Sequence, residues 1–66
     1  MTKKEKETIL AFAENDMKVN RTAEELKLHG NSVKYRLTQI AVKYKYNPFV
    51  FYDLIELVKK AGGSIG

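Results

Sequence analysis

The stretch NRTAEELKLHGNSVKYRLTQI, residues 20–40, decides the fold of this chain. Two runs with helical spacing flank a break at His29-Gly30. In the second run Val33, Leu37, Ile40 and Tyr44 recur at spacings of four, three and four, the period of a helix with one apolar stripe. Advancing 100° per residue from Val33 puts Asn31, Tyr35, Thr38, Gln39 and Val42 opposite that stripe, with Lys34 and Arg36 on its flanks. A helix is therefore predicted over 31–45. The first run, 20–28, points Ala23, Leu26 and Leu28 inward and carries Glu24 and Glu25 in its early turns, where the helix dipole favours acids. Asn20 is its expected N-cap. Glycine readily takes positive φ, so His29-Gly30 should break the two runs apart. Asn31 can cap the helix that follows.

Upstream, residues 3–15 lack Gly and Pro and place Ile9, Phe12 and Ala13 on one face, with Leu10 beside them. Thr2 and Glu5 have the spacing of a capping box, and Asn15-Asp16 supply turn chemistry. Downstream, Asn47-Pro48 predicts a start for a fourth helix over 48–61, with asparagine as cap and proline at the first helical position. Gly62-Gly63 end it, and residues 62–66 are expected to form a flexible tail. The fold class predicted is all-α: one four-helix helix-turn-helix domain over residues 1–61.

Between Glu25 and Asp53 the chain carries Lys27, Lys34, Arg36, Lys43 and Lys45 and no acid, against a net charge of +4 for all 66 residues. The remainder is thus net negative, and the positive excess sits where the 31–45 helix lies, as a nucleic-acid partner requires. With no cysteine and one histidine, disulfides, thiolate zinc sites and histidine metal clusters are excluded, and no cofactor is expected. No run approaches the roughly 20 apolar residues of a membrane span. The first ten residues lack a signal-peptide pattern, so the expected location is cytoplasmic. A glycine-rich phosphate loop and paired carboxylates beside a base are also missing, and an enzyme is not expected.

B-DNA's major groove admits one helix, whose N-terminal residues meet base edges. Asn31, Ser32 and Tyr35 occupy that end of the 31–45 helix, and Thr38 and Gln39 follow one turn on. Asparagine can bond adenine bidentately, serine is an undiscriminating partner, and the Tyr35 ring suits a thymine methyl or its hydroxyl a phosphate. Two alternatives stand beside these roles: Asn31 as a pure N-cap, and Tyr35 as packing against a neighbouring helix. Lys34, Arg36 and Lys43, with Arg21 and Thr22 at the start of the second helix, are placed to meet phosphates. His29 reads as a turn residue or phosphate contact, without a catalytic or metal role. Lys3-Lys4 and Lys59-Lys60 read as solvated helix ends. Tyr44, Tyr46, Phe49 and Phe51 alternate with lysines as single-strand stacking platforms do, but helical spacing turns Tyr44 and Phe51 inward.

The fourth helix is apolar over two stripes: Phe51, Leu54, Ile55 and Val58 on one, Val50, Leu57 and Ala61 on the next. One small core should not cover both, so a homodimer interface through Val50, Leu54, Leu57 and Ala61 is expected. The competing possibility is that the first helix wraps far enough round to cover them.

The run from Ala23 through His29, Asn31, Val33, Tyr35, Arg36 and Leu37 to Ile40 resembles the C-terminal helix-turn-helix domain of PucR-type bacterial transcription regulators. More distantly, it is similar to the helix-turn-helix of Fis. The segment Asn47-Pro48 through Phe51-Tyr52-Asp53-Leu54 resembles short stand-alone members of the PucR type. Gly30 departs from the pattern, where arginine is usual, and so does Lys45-Tyr46, in place of Thr-Gly. The resemblance implies a double-stranded DNA-binding module that regulates transcription, with no small-molecule effector pocket. The alternative function is a protein-interaction module in which the apolar fourth helix docks another regulator or the transcription machinery.

Overall fold

A computed structural model describes residues 1–62; the rest of the expected tail, 63–66, lies outside the described residues. Four helices follow in order, α1 (Lys3–Glu14), α2 (Val19–Leu26), α3 (Gly30–Tyr44) and α4 (Phe51–Lys60), with no strand among the described residues. The fold is the small all-α arrangement expected of a helix-turn-helix domain. α1 packs against all three other helices, and α2 packs on α3. The helix-turn-helix pair thus sits on one side of α1, with α4 resting on another.

The capping box forms as expected. The Glu5 amide donates to Thr2 Oγ1 at 3.2 Å, and Thr2 N donates to Glu5 Oε1 at 2.7 Å, satisfying two of the amides a helix start leaves unpaired. Between α1 and α2 both Asp16 (φ 57°) and Met17 (φ 60°) take the left-handed region. The reversal is completed early, so α2 starts at Val19 with Lys18 as its N-cap and without a side-chain cap bond. Asn20, the expected cap, is already the second helical residue.

The break between α2 and α3 also lies elsewhere than the sequence suggests. Lys27, not Gly30, takes the left-handed conformation (φ 57°, ψ 45°), and Leu28 N donates to Ala23 O at 2.9 Å. That six-to-one bond is a Schellman closure, with Leu28 folding back as its hydrophobic contact. Gly30 is the first residue of α3 in ordinary right-handed geometry. Substituting Lys27→Gly should therefore relieve the Cβ–carbonyl crowding of a left-handed L-residue, raising stability by about 1 kcal/mol. For a chain this small that is a rise in Tm of about 4–8 °C, to be read by thermal denaturation.

α4 begins three residues later than the Asn47-Pro48 signal implies. Asn47 Oδ1 accepts from Phe49 N at 2.9 Å and Val50 N donates to Asn47 O at 2.9 Å, so this asparagine builds a turn instead of a helix cap. Asp53, in the first turn of α4, reaches back to accept from Asn47 N at 3.0 Å. Pro48 is buried within that turn.

One core gathers Ile9 and Phe12 from α1, Ala23 from α2, Val33, Leu37 and Ile40 from α3, and Leu54, Leu57 and Val58 from α4, with Ala61 just beyond. The Phe12 ring meets Phe49 edge-on, centroids 5.6 Å apart, a favoured aromatic geometry. Two buried hydroxyls, Thr8 and Thr22, donate to the carbonyls four residues earlier, each at 2.8 Å. The expected dimer stripe needs correction: Leu54, Leu57 and Ala61 are buried in the chain's own core, because α1 lies close enough to cover them. Only Val50 remains exposed. Phe51, expected inward, is 60% exposed.

Candidate nucleic-acid interface

The face of α3 opposite Val33, Leu37 and Ile40 is open. Asn31, Ser32, Lys34, Thr38, Gln39, Val42 and Lys43 are exposed along it, as is Tyr35 at 66%. Tyr35 therefore does not serve as interhelical packing. Asn31 is not a cap either: the N-cap position belongs to His29, which makes no side-chain cap bond, and Asn31 lies inside the first turn with its amide free of that duty. Ser32 N and Val33 N both donate to His29 O, at 3.0 and 3.2 Å. His29 itself is exposed beside this mouth of the helix.

Local bonding tempers several of the sequence-expected contacts. Thr38 Oγ1 donates to Lys34 O at 2.9 Å, so part of its hydrogen-bonding capacity serves its own helix. Arg36 is half-buried, its Nη1 donating to Thr8 Oγ1 of α1 at 3.4 Å. Thr22 requires correction as a phosphate contact, because its side chain is fully buried and its hydroxyl bonds Lys18 O. Arg21, its neighbour, is exposed.

Sequence periodicity missed what α1 contributes. Glu5 Oε2 pairs with Lys43 Nζ at 3.3 Å, and Glu5 Oε1 accepts from the Tyr44 hydroxyl at 2.9 Å. One carboxylate thus caps α1 and ties it to the C-terminal end of α3. It also neutralises one cation of the stretch that the sequence shows as uniformly positive. The capping-box spacing was the only signal for Glu5, and that signal is local, whereas Lys43 is remote in sequence. Lys4 stands beside the same surface. It lines a groove of about 450 Å³ with Leu28, Asn31, Ser32, Tyr35 and Arg36, and a smaller one of about 160 Å³ with Glu5, Tyr35, Arg36, Gln39 and Ile40.

The Thr2 amide lowers the Glu5 carboxyl to about 2, with the Tyr44 hydroxyl and Lys43 assisting against partial desolvation. Because the folded value lies below the unfolded one, this interaction stabilises the fold fully above about 4.5 and is lost as pH falls from there toward about 2. Wild type should therefore lose stability through that acid window. Glu5→Gln should be the less stable protein at pH 7, and its gap to wild type should shrink toward pH 2, as read by urea midpoints at each pH.

Away from α3, an apolar corner is exposed where α4 begins: Phe49 and Val50 at 46% each, Phe51 at 60% and Tyr52 at 77%. Phe51 and Tyr52 meet edge-on at 5.5 Å. Beside them runs a groove of about 420 Å³ lined by Ala13, Asp16, Met17, Phe51, Leu54, Ile55 and Val58. Among the described residues no helix is long and apolar enough to cross a membrane, and no group of three His, Cys, Asp or Glu gathers as a metal site.

Against known proteins, the family model of the PucR C-terminal helix-turn-helix domain matches residues 6–57, from the first helix into the fourth. Neither the curated proteins nor the solved structures give a match.

Proposed function

Because the chain belongs to the PucR C-terminal helix-turn-helix family, we propose that it is a sequence-specific double-stranded DNA-binding module of a cytoplasmic transcription regulator, with α3 in the major groove. The observation that carries this is the shared exposure of Asn31, Ser32 and Tyr35 on the N-terminal half of a helix anchored from behind by Val33, Leu37 and Ile40. Rigid backing lets exposed amide, hydroxyl and ring groups meet base edges in a fixed register. Lys34 and Arg21 meet phosphates directly. Arg36 does so from its place beside Thr8, while Lys43, held by Glu5, lines the far margin of the surface. Thr38, Gln39 and His29 line the margins of the same surface.

Fluorescence anisotropy with a mixed-sequence duplex tests the electrostatic part. With roughly three to four phosphates neutralised per protomer, affinity should fall about 40- to 150-fold between roughly 50 and 200 mM salt. Arg36→Ala should weaken binding to all sequences alike. Binding too weak to detect at the low end of that range would refute the proposal.

A homodimer with half-sites about one helical turn apart is the second part of this reading. With Leu54, Leu57 and Ala61 committed to the core, its interface would be the Phe49, Val50, Phe51 and Tyr52 corner. The same corner favours the alternative, in which α4 docks another regulator or the transcription machinery. Sedimentation separates the two: a mass of two chains, reduced to one by Phe51→Asp, supports the homodimer, and a single-chain mass at tens of micromolar leaves only the heterologous partner.

A further inference from the structure

The first turn of α3 contains Gly30, Asn31, Ser32 and Val33 and carries no charged side chain, and the basic residue in its last turn, Lys43, is paired with Glu5. The proposed DNA surface is thus poor in free cations at the end where bases would be met. α1 supplies one there. Thr8 is buried against α3, where its hydroxyl receives Arg36. Lys4 lies one turn earlier on α1, on the face it shares with Thr8 by the four-residue spacing. That register is why Lys4 lines both grooves flanking Tyr35 and Arg36. Its neighbour Glu5 presents no competing bare carboxylate, being engaged by Thr2, Lys43 and Tyr44. Among the described residues Lys4 forms no ion pair.

We propose that Lys4 of α1 is a DNA-backbone contact residue: with Arg36 it forms a two-cation clamp on two neighbouring phosphodiesters, one to each cation, at the rim of the groove entered by Asn31, Ser32 and Tyr35. The proposal rests on the DNA-binding reading above. An ammonium at a groove rim is a strongly hydrated point charge suited to a phosphate oxygen, and carries no base preference. α1 therefore does more than support the helix pair from behind; its first turn extends the contact surface past the recognition helix. It also places a cation at the helix mouth, which the sequence of α3 itself does not provide.

The test measures wild type, Lys4→Ala, Lys4→Arg, Lys34→Ala and Lys59→Ala by anisotropy with one mixed-sequence duplex across a salt series, with helicity checked by circular dichroism. One phosphate contact contributes about 0.9 to the salt slope, so the advantage of wild type over Lys4→Ala should shrink about 3.5-fold between roughly 50 and 200 mM salt. Lys4→Arg should restore the wild-type slope, and Lys59→Ala, on the outer end of α4, should leave it unchanged. The proposal is overturned if Lys4→Ala binds with wild-type slope and affinity while Lys34→Ala is impaired; DNA binding would then stand without the clamp. If wild type shows no binding at low salt, both the clamp and the DNA-binding reading are overturned. If Lys59→Ala loses slope as Lys4→Ala does, the effect is one of net charge and the assignment of a site is wrong.

Discussion

Phe12→Ala should bring the fold close to the edge of unfolding at room temperature. Phe12 is fully buried on α1, the helix that touches the other three, and its ring is the edge-on partner of Phe49 in the turn that launches α4. Truncation removes the largest side chain of the core, at a cost of about 3–5 kcal/mol for a phenylalanine whose cavity cannot fully collapse. At ~0.05–0.15 kcal/mol per residue, a domain of 66 residues holds only on the order of 3–10 kcal/mol in total. With no disulfide to restrain the chain, the loss consumes from about a third of it to all of it. Circular dichroism should show the helical signal reduced and the cooperative urea transition weakened or gone. Val42→Ala, at a site 71% exposed, should stay within about 0.5 kcal/mol of wild type. A Phe12→Ala protein with the wild-type urea midpoint would show that the core is centred elsewhere.

The second large effect concerns specificity. Replacing Asn31, Ser32 and Tyr35 together by alanine should leave the fold intact, since all three are exposed and none caps α3. The variant should also keep the salt slope of binding, because none of the three is charged. What it should lose is preference. At about 1 kcal/mol for each base contact, the lower end for a good one, the ratio of specific to mixed-sequence affinity falls about 100-fold. Competition titrations with both duplexes measure that ratio directly. A ratio unchanged in the triple variant would place base recognition outside the N-terminal half of α3.

The sequence made α3 legible because a fifteen-residue helix with one buried stripe repeats its signal four times, at Val33, Leu37, Ile40 and Tyr44. The capping box at Thr2 and Glu5 was legible for a similar reason, since both partners are local. The turns were not. Lys27 and Lys45 hold positive φ, and nothing in a lysine announces that conformation, whereas Gly30 announces it and does not adopt it. Asn47-Pro48 matches a helix start equally well as a turn, and the choice was made by Asp53 drawing in the Asn47 amide. In α4, apolar residues on adjacent faces left the inward side ambiguous until the position of α1 settled it in favour of Leu54, Leu57 and Ala61. At the candidate site, exposure along α3 followed from periodicity, but the coupling of Glu5 to Lys43, Thr8 to Arg36 and Lys4 to the helix mouth depends on how α1 crosses α3. No local pattern encodes that crossing.

In-vitro selection from a random duplex pool, run at about 50 mM salt where phosphate contacts are strongest, tests the central claim most directly. Wild type should enrich one short motif, and the Asn31, Ser32 and Tyr35 triple-alanine variant should bind the pool without enriching it. No enrichment by wild type, or the same motif enriched by both proteins, would contradict the assignment of α3 as the element that reads DNA.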